Sequence, residues 1–296
     1  GRFLCDAIGK RLTSSLGYTL LYDDRDNRIR PTRGQSLGIS QDFAGLGGSV
    51  KYIKTRINAD KYWKPFGNFV FGLSFESGYI HPLENRGLAG IDDVRLTDRF
   101  YLGEPQMRGF DIRGVGPRVQ RIFQEGKIVN GVAVNNPITD RNQIQDDAIG
   151  GRFYYMGRAE LQIPLGSGAK ELGLRPSLFV DVGSVFDVTR PVLQSVQQRE
   201  VLADGTQGGL LYYFVDSAGA LQTSTTAVNG DGSARVAAFR FKEEFLGDTW
   251  KPRLSVGFGV NWNSPFGPFR IDIARALLKQ PGDDTKLFTF NVGTQF

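Results

Sequence analysis

The sequence predicts an all-β chain, an antiparallel transmembrane β-barrel wall with one long loop turned back into its lumen. Three observations carry that reading. Polar and apolar residues alternate with period two over nine stretches, several as long as 68–80 and 252–263. A tilted membrane-crossing strand needs about 9–11 residues, whereas globular strands peak near 5–6. Short connections alternate with long ones, as in barrels with tight turns at one end and long loops at the other. Residues 101–118 hold four glycines and two prolines, which rules out a helix or a central strand there.

Taken in order, residues 1–13 have no clear period and read as the remnant of a loop. From Ser14, Leu16, Tyr18, Leu20 and Tyr22 share one face. The run Asp26-Asn27 to Pro31-Thr32-Arg33-Gly34 is a turn by its chemistry. Strands follow at 35–43, 49–62 and 68–80; the last sets Phe69, Phe71, Leu73 and Phe75 against Gly72, Ser74, Glu76 and Gly78. Residues 81–151 read as one very long connection, too long for a soluble domain unless it is functional. A barrel gives it a place inside. The pattern resumes at 152–164 and 174–184, where Arg158 and Glu160, then Asp181, lie on the polar faces. The insert 185–251 is polar and Gly-rich, with a small hairpin expected around Ser217-Ala218-Gly219. Strands at 252–263, 269–277 and 286–296 complete the chain, and Arg270 and Asp272 share a polar face. Trp63, Phe66, Trp262 and Phe266 fall beside the short turns, where interfacial aromatics belong.

Composition narrows the classes. The net charge is +5, with 36 basic and 31 acidic residues interspersed. That spread suits a solvated surface, and no nucleic-acid partner is expected, because phosphate binding needs clustered charge. One cysteine (Cys5) and one histidine (His81) leave no disulfide and no His-based metal site, so no metal or cofactor is expected. No metal spacing, phosphate loop or nucleophile with a base is present, so a non-enzyme is expected. Period two alone does not say which face is inside. A soluble sandwich enzyme or lectin would bury Phe69, Phe71, Phe75, Phe288 and Phe290; a membrane barrel would turn them outward.

Three stretches resemble one family. Met107-Arg108-Gly109-Phe110, with Gly116-Pro117-Arg118 after it, resembles the lumen-inserted loop of the BamA/TamA superfamily of outer-membrane insertases. The turn at 26–34 and the ending Leu287 to Phe296 resemble the same family's. Ser264-Pro265-Phe266-Gly267-Pro268 and Phe179-Val180-Asp181-Val182-Gly183 resemble its BamA branch more specifically. Met107 and Glu104 depart from the residues usual in the family; the arginine is kept. The resemblance implies that 1–296 is the C-terminal portion of a sixteen-stranded barrel, nine or so strands of it. The POTRA domains and first strands would lie upstream of Gly1.

It further implies insertion and folding of β-barrel proteins in the cell outer membrane, by strand templating at a lateral seam. The implied partners are the lipid bilayer, unfolded outer-membrane clients and accessory assembly lipoproteins. Arg108, flanked by Gly109 and Phe110, would be held by Glu160 and Asp181, locking the loop in the lumen. Read from residues alone, the favoured reading is a solvated loop side chain at Arg108 and ordinary lumen charges at Glu160 and Asp181; the resemblance favours the lock. Gly293 would weaken the seam or simply relieve lumen crowding. Phe288, Phe290 and Phe296 would form a terminal-strand address, a lipid-facing row, or both. A TamA-like or two-partner secretion translocator and a passive porin remain as rival functions.

Overall fold

A computed structural model describes residues 8, 10–166, 173–264 and 267–292. The predicted site residues Gly293 and Phe296 lie outside the described residues, as does Phe266. The chain separates into two compact units, one of them formed by Val119–Asp147 and Val192–Phe245.

The larger unit is built on a nine-stranded antiparallel sheet in which chain neighbours pair in sequence. Its strands are β1 (Ser15–Asp23), β2 (Gly34–Ala44), β3 (Tyr52–Trp63), β4 (Val70–Pro82) and β5 (Phe153–Gln162). Then come β6 (Leu174–Phe186), β7 (Arg253–Ser264), β8 (Gly267–Leu278) and β9 (Phe288–Val292). Each falls where the period-two stretches placed it, to within a few residues.

The alternation divides the sheet into two unlike faces. One face is bare: Phe75 is 47% exposed, Phe258 42% and Phe288 53%, and Leu20, Ile39, Ile57 and Val180 stand out with them. A contiguous apolar face this wide is a contact surface for another apolar phase. It decides against the sandwich, which would have buried these rows. No described helix is long and apolar enough to cross a membrane, and strands need none. The other face is covered by residues 83–117. Val94, Phe100, Leu102, Met107, Phe110 and Val115 of that segment pack with Ile80, Met156 and Val185 of the sheet into one core. The hydrophobic core of this unit therefore lies between loop and wall.

Local chemistry fixes the connections. In the β1–β2 turn, the Asp26 carboxylate accepts from the Thr32 and Arg33 amides (2.8 and 3.1 Å) and from the Thr32 hydroxyl (2.6 Å). The Thr32 bonds hold the Asp26 carboxyl below the usual carboxylate range. Its contribution to the turn is present above an ordinary Asp pKa, about 3.9, and is lost as pH falls through the depressed folded value. At the opposite end, Arg253 is fully buried and forks onto Asp283 at 3.0 and 3.2 Å. It also donates to Ser184 Oγ and to the carbonyls of Gly247 and Thr249.

The smaller unit corrects the expectation of one unstructured connection over 81–151. Arg118–Val129 and Val132–Pro137 form a hairpin, and Val129 pairs with Val132. Asn130 and Gly131 have φ of 52° and 77°, the left-handed pair that closes a two-residue hairpin. The Asn-Gly dipeptide between Ile128-Val129 and Val132-Ala133 was a readable signal. Phe239–Leu246 joins the same sheet. Asn135 secures it, donating to Ala237 O (2.8 Å) and accepting from the Phe239 amide (2.9 Å). The hairpin expected around Ser217-Ala218-Gly219 is present, Tyr212–Val215 pairing with Leu221–Ser224.

Arg253→Met leaves the Asp283 carboxylate buried without its counter-charge, a cost of about 3–5 kcal/mol. A clear fall in the urea midpoint of the folded protein is expected. The double variant R253M/D283N should recover most of it; no recovery would mean that the pair is not what holds this end.

Candidate functional site

The site is assembled from one loop residue and the inner face of four adjacent strands. The loop first fixes its own shape. Met107 N donates to Gly103 O (2.8 Å), Gly114 N to Asp111 O (2.7 Å) and Val115 N to Leu102 O (3.1 Å). Gly109 has φ +84°, and a Cβ there would sit 3.0 Å from the Ser255 Cβ and 3.3 Å from that of Ala274. Both conformation and space require glycine at this closest approach of loop to wall. Phe110 is fully buried and anchors the loop in the core.

The wall supplies the complement. On β5–β6 the register pairs Arg158 with Asp181 and Glu160 with Phe179. On β6–β7 it sets Asp181 opposite Ser255 and Phe179 opposite Gly257. The Phe179 ring lies over Gly257, where any side chain would collide with it. That leaves an aromatic face lying flat on the wall.

Arg108 fills this place and is 2% exposed. Its guanidinium carbon lies 3.3 Å from the Phe179 ring centroid. Its Nε and Nη2 donate to the two Asp181 oxygens at 2.8 and 2.7 Å, and its Nη1 to Glu160 Oε2 at 3.0 Å. The Arg108 amide donates to Asp181 (3.1 Å), and the Arg108 carbonyl accepts from Ser255 Oγ (2.5 Å). A planar fork suits two carboxylates and one ring face together; a lysine ammonium does not.

Charge is balanced. Arg158 donates to Asp181 (3.1 Å), and Arg270 pairs with Asp272 (2.8 Å) and reaches Glu160 (3.4 Å). Asp272 lies 3.8 Å from Arg108. Three arginines thus meet three carboxylates, the condition for keeping a buried ionic cluster tolerable. Among the described residues no group of three His, Cys or acidic side chains is placed to hold a metal ion.

The structure brings together Arg108, Gly109, Phe110, Glu160 and Asp181. Sequence reasoning did not assign Arg158, Phe179, Ser255, Arg270 and Asp272 to this site. Their signal was their place on the polar faces of consecutive strands. Phe288 and Phe290 lie elsewhere, on the bare face of β9.

A second tie joins the loop to the β8–β9 connection. Asp111 N donates to Asp284 O (3.0 Å), Asp284 N to Gly114 O (2.8 Å) and Lys286 N to Gly109 O (3.2 Å). The Lys286 ammonium donates to Glu104 at 2.8 Å. That bond holds the ammonium above the ordinary lysine range.

A wide bare apolar face on a meandering antiparallel sheet, with an arginine-anchored loop on the other face, defines an integral membrane protein of the β-barrel class. Residues 4–296 match the Omp85 superfamily domain, and the chain belongs to that superfamily. It is 27% identical over 293 residues to the outer membrane protein assembly factor BamA of Neorickettsia risticii, covering 98% of this chain and 28% of that protein. It is 28% identical over 186 residues to the human sorting and assembly machinery component 50 homolog, covering 61% and 33%. The crystal structure of BamA from Haemophilus ducreyi lacking POTRA domains 1–3 superposes with a TM-score of 0.56 at 20% identity, covering 93% of this chain and 41% of that one. The chain thus has the fold of a BamA-like C-terminal barrel and is an integral outer-membrane protein. It spans about a third or less of the length of these curated relatives.

Arg108→Lys keeps the charge but loses the fork and the stacked plane. Trypsin should then cut at Arg113, which is exposed on the same loop, at least several-fold faster than in the wild type. Equal cleavage rates would show that the geometry at Asp181 and Phe179 does not hold the loop.

Proposed function

We propose that the protein folds and inserts β-barrel proteins into the outer membrane. On this reading the chain is the C-terminal part of the barrel, with POTRA domains and the first strands upstream. Its clients are unfolded outer-membrane proteins, helped by accessory assembly lipoproteins. The barrel works without enzymatic chemistry. The observation that carries the proposal is the buried Arg108 cluster, which ties a long loop to the inner wall of a lipid-facing sheet. Superfamily membership, and relatives named for outer-membrane protein assembly and for sorting and assembly, support it.

The mechanism follows from backbone chemistry. Without water, an unpaired strand edge in the bilayer is costly, so a client strand gains most by pairing at once with an edge already there. β9 is one of the two edge strands of the described sheet, with β1 the other, and among the described residues it pairs with β8 over Phe269–Ile273. Its other edge offers the template, at the seam with the first strand of the whole barrel. The lock formed by Arg108, Asp181 and Glu160 keeps the wall in its working shape while that edge opens. On this reading Gly293 loosens the seam and Phe296 belongs to the terminal-strand address, while Phe288 and Phe290 stand on the lipid-facing side of β9.

In proteoliposomes holding the full-length protein and its lipoproteins, Arg108→Ala should lower the yield of folded client at least tenfold. Folding and membrane insertion of the variant itself should be retained. Unchanged client folding would remove the lock from the mechanism. A photocrosslinker at Asn291 should capture a stalled client; capture at Asn58, far across the sheet, but not at Asn291 would place templating elsewhere.

A further inference from the structure

The bare face of the sheet is not uniformly ridged. A groove of about 630 Å³ is sunk into it across β1 to β6, with a lining that is mostly apolar. Its floor is made by small residues, Ala59, Gly157 and Ala159, and Leu73, Phe75 and Val180 form its walls. The register explains the depression. Ala59 and Gly157 flank Phe75 on the neighbouring strands, and Ala159 stands between Leu73 and Val180. In a membrane such a hollow is filled by a chain or forfeits its dispersion contacts.

A second, independent feature lies at one end of the groove. Lys61 belongs to its lining and is exposed on the same face, opposite Leu73 and Gln35. It stands two residues before Trp63, which packs against Phe71 at 4.9 Å where β3 and β4 meet their short turn. Lys61 forms no ion pair among the described residues. The nearby Asp24 carboxylate is taken up by the Gln35 amide (2.6 Å) and the Tyr22 hydroxyl (3.2 Å). An unpaired ammonium beside an aromatic marker of the interface can extend to headgroup level while its stem stays in hydrocarbon.

We propose that this groove is a binding site for an anionic glycerophospholipid of the bilayer. An acyl chain lies over Ala59, Gly157 and Ala159, and the phosphate meets the Lys61 ammonium. The apolar hollow selects a chain, and the single cation selects a net-negative headgroup over a zwitterionic one. Arg158 also lines the groove, but its guanidinium is engaged by Asp181 of the Arg108 cluster; the proposal does not depend on how the protein acts on clients.

The test is native mass spectrometry of the full-length protein in mild detergent, titrated with phosphatidylglycerol and phosphatidylcholine of matched chains. The wild type should retain phosphatidylglycerol about fivefold better, the worth of one basic side chain at a lipid surface. Lys61→Gln should erase that preference and leave the weaker chain-driven binding. Ala159→Phe should fill the groove and lower retention of both lipids. Heat-modifiable gel migration checks that the variants fold. If Ala159→Phe does not fold, the exposed polar change at Lys61 decides alone. An undiminished preference in Lys61→Gln would overturn the proposal. So would paired copies of the wild type that Ala159→Phe separates, because the groove would then be a protein contact.

Discussion

One guanidinium organises the larger unit. Arg108 lies flat on Phe179 and forks onto Asp181 and Glu160. Its burial is tolerable because all its charge is answered within the same layer of side chains. Everything near it serves that placement. Gly257 leaves room for the Phe179 ring, Gly109 lets the loop come close, and Ser255 takes up the arginine's own carbonyl. Beside it, Leu102, Met107, Phe110 and Val115 of the loop pack with Ile80, Met156 and Val185 of the wall.

The same sheet solves two solvent problems at once. Its bare face meets hydrocarbon, and its apolar rows pack side by side along that face, as Trp63 does on Phe71 and Phe269 on Phe290. Its covered face meets a loop that carries its own apolar residues, so a hydrophobic core forms on what the alternation marks as the polar side. Within the membrane-spanning strands, polarity does not separate inside from outside by burial; it separates charge-paired from lipid-wetted.

This explains what could be read from the sequence. Strand positions were legible because period two survives whichever way a strand faces. The convergence of Arg108 with Glu160 and Asp181 came through resemblance and through their shared polar faces. Arg270 and Asp272 were visible as a polar pair but not as members of the cluster. Joining them to Glu160 needs the register across β5, β6, β7 and β8. Phe179 was harder still: an aromatic at an inward position looks like an error of alternation until Gly257 beneath it is seen. The strands in 118–137 were not legible by alternation, because Arg121, Glu125 and Lys127 share one face of Arg118–Val129 with Val119 and Phe123; only the Asn-Gly turn marked the hairpin.

The backbone tie between the loop and residues 284–286 has a mechanical consequence. Three main-chain hydrogen bonds link Asp111, Gly114 and Gly109 to the segment that runs directly into β9. Tension on β9 therefore passes to the arginine's neighbours through these bonds as well as to β8 through the strand ladder. To slide or peel away, that strand must either drag the anchored finger with it or shear those bonds one after another. The inserted loop and the edge of the sheet are in this way mechanically coupled.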